Sequence, residues 1–184
     1  MELIQDSLSV GELVPPRDYS SEEDEDDRVD EILVLAEKKD WPALRFLIDN
    51  SREIIRYQWG LLYSLSEYGN IEEYSYWISK GLSLREPQAT ALRGGCKNGN
   101  DQLVLFLIEK GASLDVEEYV EDYHPIIHAL RHCSLEVVQK MVQQGVDLHC
   151  QYNLIFDRPN EIWDSEYVKM APRQEMVDFL SKQR

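Results

Sequence analysis

The chain reads as an all-α stack of about five short helical repeats, and three observations predict it. A phrase returns three times, Gly-Leu-Ser-Leu at 81–84, Gly-Ala-Ser-Leu at 111–114 and Gly-Val-Asp-Leu at 145–148, at intervals of 30 and 34 residues. Ahead of the last phrase, Leu135, Val137, Val138, Met141 and Val142 carry the 3.6-residue period of an amphipathic helix. Ahead of that helix, Ile126, Ile127, Ala129 and Leu130 form a shorter apolar run. A period of this length marks stacked helical pairs, each too small to bury its apolar face alone.

The copies run in order along the chain. A worn first copy spans Asp30 to Ser51, with Ala36 in its first helix and Ala43, Leu44, Phe46, Leu47 and Ile48 in its second. The second starts at Gly60 and turns through Tyr68-Gly69-Asn70-Ile71-Glu72 before ending at Gly81. The third, 90–115, keeps Thr90-Ala91-Leu92 and Asn98-Gly99-Asn100, but places Gly94-Gly95 inside a helix, where glycine costs about 1 kcal/mol each. In the fourth, Pro125 fits the first helical turn, where its missing N–H is no loss, and Gly145 supplies the left-handed residue that ends the second helix. A fifth, capping copy holds Met176, Val177, Phe179 and Leu180 after an irregular insertion around Asp157–Ser165.

The fourth copy resembles the ankyrin repeat, T-P-L-H-x-A-A-x-x-G-x-L-E-V-V-K-x-L-L-x-x-G-A-D-V-N. Pro125, Ala129, Leu135-Glu136-Val137-Val138 and Gly145-x-Asp147-Leu148 match it without a gap. The resemblance extends over about residues 30–184. It departs from the family in lacking a full T-P-L-H anywhere, and its spacing of 30 falls short of the usual 33, which implies trimmed β-hairpin fingers. It implies an ankyrin-like solenoid that binds other proteins. Target-facing slots in that frame are the connection before each first helix and the two residues ending it. They hold Tyr57 and Trp59, Glu67 and Tyr68, Lys97 and Asn98, and Tyr119, Tyr123, Arg131 and His132. Glu117, Glu118, Glu121 and Asp122, in the lengthened 111–145 interval, add an acidic border. Trp77, by contrast, fills an apolar-periodic slot and belongs to the core.

Composition bounds the rest. The net charge of −16 is uneven: residues 1–31 hold 12 acidic and 2 basic side chains, including the run Glu22–Asp27. This divides the chain into an acidic N-terminal segment, 1–28, too charged to fold alone, and a repeat domain, 29–184. The segment is expected to be disordered or to cap the first repeat. No apolar run reaches membrane-spanning length, and the first residues lack the basic start of a signal peptide. Three cysteines without framework spacing fit a reducing, cytoplasmic setting. An acidic balance is the wrong sign for nucleic acid.

His124, His128 and His132 are spaced for one helical face, with His149, Cys133 and Cys150 nearby. None of the spacings reproduces a closed zinc site, so no metal and no cofactor is expected, although metal binding through this cluster is kept as an alternative. Cys96 replaces a core alanine of the repeat and is expected to be buried. No nucleophile with a base at motif spacing is present, so the expectation is a non-enzymatic protein. The reading is a monomeric binding module for a basic protein partner, by analogy an inhibitor of the immunity or antitoxin kind. An adaptor or regulatory subunit in signalling or host manipulation is the alternative.

Overall fold

In the computed structural model, the described residues are 22–48, 51–86, 88–116, 124–150, 155–156 and 174–183. Among them the chain forms helices and no strand: α1 (Glu22–Glu37), α2 (Trp41–Leu47), α3 (Ser51–Arg56), α4 (Gln58–Tyr68), α5 (Ile71–Ser79), α6 (Thr90–Lys97), α7 (Asp101–Glu109), α8 (Pro125–His132), α9 (Leu135–Gln143) and α10 (Gln174–Leu180). The insertion 157–165 and the segment 1–21 lie outside the described residues.

Short connections make α1 pack on α2, α6 on α7 and α8 on α9. The first helices then touch in succession, α1 against α4, α4 against α6 and α6 against α8. The apolar run of each first helix therefore lies between neighbours. Ile32 and Ala36 in α1, Leu61 and Leu65 in α4, Leu92 and Cys96 in α6, and Ile126 and Leu130 in α8 are completely buried. Leu44, Trp77, Leu107 and Met141 complete the core from the second helices, so Trp77 sits where the sequence places it. Burying a side chain of this kind contributes about 1.5–3 kcal/mol each.

The recurring phrase ends α5, α7 and α9 in one geometry. Gly81, Gly111 and Gly145 have φ of 106°, 79° and 89°. In each, the following N–H turns back onto the helix: Leu82 donates to Trp77 O, Ala112 to Leu107 O and Val146 to Met141 O, at 2.9–3.1 Å. The starts of the second helices recur too. Asp40, Asn70 and Asn100, spaced by 30, each accept a bond from the N–H three residues on, at 3.2, 3.0 and 3.2 Å. Ser134, in the equivalent position, is held differently: its N–H donates to the Asp101 carboxylate at 3.1 Å.

Three details depart from the sequence expectation. The acidic run Glu22–Asp27 is part of α1, so the boundary expected at residue 28 falls inside a helix. Arg28 is buried and donates to Leu47 O at 2.9 Å and to Glu53 at 3.4 Å, tying α1 to the end of α2 and to α3. The helix α3 is itself an addition, standing between the first copy and the second. Gly94, finally, is not merely tolerated. A Cβ there would lie 2.3 Å from Ser66 Cβ and 2.8 Å from Ser66 O, so its absence sets the close approach of α6 to α4.

Candidate protein-binding face

The solvent side of the first-helix row gathers chemistry from three helices. On α4, Trp59 is 57% and Tyr63 43% exposed, and their rings stack with centroids 5.8 Å apart at 22°. They lie four residues apart, hence on one face. Exposed aromatic pairs of this kind present a large rigid area at little entropic cost.

Beside them is a hollow of about 120 Å³, lined from α4 by Tyr63, Ser66 and Glu67, from α6 by Thr90, Arg93, Gly94 and Lys97, and from α8 by His128. Asn98 closes the α6 end by donating to Ser66 O at 3.1 Å. Lys97 lies 3.9 Å from Glu67, a loose pair with the lysine 61% exposed. On α8, His128 and His132 stack one turn apart, 6.4 Å between centroids. His124 stands outside the helix as its N-cap, so the three histidines do not form one helical row.

Of the residues nominated from sequence, Trp59 is on this face and His132 is half-buried beside it. Tyr68 is half-buried and packs against the core. Two are not surface groups. Tyr57 is 4% exposed, because the α3–α4 junction turns its ring inward beneath the guanidinium groups of Arg28 and Arg56, 5.9 and 5.5 Å from its centroid. Arg131 is also 4% exposed, one turn after the buried Ile127 on α8. Glu117, Glu118, Glu121, Asp122 and Tyr123, with Tyr119, lie outside the described residues. Tyr63, Arg93 and His128 were missed. The signal was available: Tyr63 and Arg93 are one 30-residue period apart, as are Glu67 and Lys97.

A second, larger groove of about 630 Å³ runs along the helix-ending phrases, between Arg85, Glu86, Ser113, Asp115 and Gly145. It is crossed by links between successive phrases: Ser113 N–H to Leu84 O at 3.1 Å and Asp147 N–H to Asp115 at 3.0 Å. Burial pushes the Asp115 carboxyl up, with the Asp147 charge adding to the shift, while the Asp147 N–H and His124 oppose it. Burial lowers His124, against the pull of Asp115 and Asp147.

Among the described residues no group of three or more His, Cys, Asp or Glu side chains is placed to hold a metal ion. All three cysteines are free and buried. Burial raises Cys96 well above the usual thiol range, reinforced by the neighbouring Cys133, and pushes Cys150 up to about 12. Both thiols are thereby held neutral, the form that is a poor nucleophile. No helix among the described residues is long and apolar enough to cross a membrane.

No family profile matches the chain, and no solved structure matches it. Over 62 residues, 34% of its length, the chain is 34% identical to the B-cell lymphoma 3 protein homolog of Mus musculus, an ankyrin-repeat protein. The match spans 14% of that protein. The likeness gives support to ankyrin-like repeats in a chain whose described residues form helices and no strand.

Proposed function

We propose that this chain is a non-enzymatic protein-binding module, a stack of about five ankyrin-like repeats that presents the solvent side of α4, α6 and α8 to a protein partner. The observation that carries the reading is the exposed Trp59–Tyr63 stack beside a polar hollow. Large apolar rings left in water at the edge of a pocket are the usual anchors of an interface. The role we assign is that of an inhibitor, of the immunity or antitoxin kind, for a partner of net positive charge. The chain's −16 charge supports this, since it attracts such a protein from a distance and speeds encounter.

Affinity capture from the native cell tests the reading, with wild-type protein and Trp59→Ala, Tyr63→Ala and the double variant as parallel baits. The expected result is one stoichiometric basic protein on the wild type, lost or strongly reduced on the double variant. An identical catch on all four baits would place the contact elsewhere. An acidic protein in the catch would refute the inhibitor role.

A further inference from the structure

We infer that the Trp59–Tyr63 stack, flanked by the acidic start of α1, receives an arginine side chain of the protein partner. The inference rests on the protein-binding reading and names the chemistry that the stack selects. Rings come first. Stacking shields one face of each ring, and both residues are exposed, so ring surface is left open to solvent. A ring face is electron-rich and attracts a cation above it, tryptophan most strongly. Elsewhere the chain meets that attraction with its own side chains. Arg28 and Arg56 lie over Tyr57, Arg45 and Lys80 over Tyr76, and Lys110 over Phe106. Among the described residues no lysine or arginine lies over Trp59 or Tyr63.

Charge decides between a cation and a plain apolar contact. Gly60, next to Trp59, meets α1 at Val29: a Cβ on Gly60 would stand 3.2 Å from the Val29 side chain. The run Glu22–Asp27 belongs to the same helix and precedes Val29 by about 3–10 Å along its axis. Residues 22–31 hold eight carboxylates and a single basic side chain, Arg28. Charges at this range are felt through salt, which screens beyond about 8–10 Å. On its other side the stack borders the hollow, where α6 contributes Arg93 and Lys97 beside Tyr63. The cation is therefore expected over Trp59, the ring on the α1 side.

Shape favours arginine. Its guanidinium is planar, stacks on a ring face and is more weakly hydrated than an ammonium. A carboxylate in the same place would meet the electron-rich ring and the α1 field together. The net charge of −16 that draws a basic partner from a distance is then matched at contact by one of its arginines.

The test is selection of a phage-displayed library of random linear dodecapeptides on the full wild-type chain, after depletion on the Trp59→Ala/Tyr63→Ala variant. Depletion removes peptides that bind the acidic surface at large. The surviving peptides are expected to share an arginine. Replacing it by citrulline, which keeps the planar group and removes the charge, should lower affinity at least about fivefold. Trp59→Leu, which keeps apolar area without a ring, should weaken the arginine peptide about threefold and leave the citrulline peptide unchanged. Glu22→Gln/Glu23→Gln/Glu25→Gln should weaken the arginine peptide about twofold and flatten its salt dependence. Survivors without arginine, no survivors, equal binding of the arginine and citrulline forms, or full affinity on Trp59→Leu would overturn the inference. Unchanged affinity and salt response on the triple variant would take α1 out of the site and overturn it too. Apolar survivors would do so while leaving the protein-binding reading intact, which fails only if capture from the native cell is also indifferent to Trp59 and Tyr63.

Discussion

The C-terminal pairs, α6–α7 and α8–α9, and the N-terminal pairs, α1–α2 and α4–α5, repeat a first and a second helix with different chemistry, α3 being added between the latter two. Between α6 and α9 the contact surface is mostly apolar: Leu92, Val104, Ile126, Leu130, Val138 and Met141 are completely buried, with Arg131 a buried charge among them. Glycine takes the left-handed position in the α6–α7 turn, Gly99, and at both helix ends, Gly111 and Gly145. Between α1 and α5 charge runs through the interior. Arg28 is buried, and Arg45 reaches the 3%-exposed Glu73 at 2.6 Å while lying 4.1 Å over the Tyr76 ring. Lys39, φ 56°, stands in the turn slot that Gly99 occupies 60 residues later. What the two regions share is geometry, above all the caps Asp40, Asn70 and Asn100. The difference teaches that a repeat can be held by its turns while the material between helices takes on ion pairs beside its apolar contacts.

Four substitutions sharpen or break that contrast, and a fifth probes its pH dependence. The largest effect is expected for Arg28→Ala, which strips a charged partner from Glu53 and a donor from Leu47 O and should cost about 2–3 kcal/mol. Partial exposure of Glu53 keeps it below the loss for a fully buried pair. Urea unfolding measures it, and a loss under 0.5 kcal/mol, on the order of an ordinary surface change, would mean the N-terminal ionic contacts are ornamental. Next, Gly94→Ala should cost about 1–3 kcal/mol by forcing α6 off α4. Full stability in that variant would show that the helices separate freely.

The two turn residues make a reciprocal pair. Gly99→Ala should cost about 1–2 kcal/mol, since it adds a Cβ at φ 63° and 2.8 Å from His132 O. Lys39→Gly should instead stabilise, by about 0.5 kcal/mol, because it relieves a left-handed residue while loosening the unfolded chain. Equal signs in both would contradict the equivalence of the two slots. The smallest effect concerns Asp115, whose carboxyl is raised on folding. A raised carboxyl favours the fold only at low pH, where it is protonated, and that contribution disappears as pH rises through its folded value. Asp115→Asn should therefore lift Tm at pH 7 by about 1 °C and less at pH 4. A larger gain at pH 4 would reverse the assignment.

The C-terminal half was legible in the sequence because its two signals, helical apolar period and helix-ending glycine, are local. Pro125, Gly145 and the apolar sets of α8 and α9 lie where their residue types put them. The N-terminal half was not. Arg28 closes an acidic run and reads as surface charge; its burial depends on Leu47 and Glu53, 19 and 25 residues away. Ser51–Arg56 carries no repeat signature, so α3 had no warning, and it is the α3 junction that turns Tyr57 inward. On the face itself Trp59 was legible, whereas Arg131 was not. One residue along a helix rotates a side chain by about 100°, enough to carry it from solvent to core.

The central claim is that a protein partner docks on the solvent side of α4, α6 and α8. Hydrogen–deuterium exchange of the full chain, alone and saturated with the protein captured on it, tests that claim most directly. New protection should concentrate at the start of α4 around Trp59–Tyr63, along α6 through Lys97 and at the end of α8. Protection confined to the second helices α5, α7 and α9, with α4 and α6 exchanging as in the free chain, would contradict it.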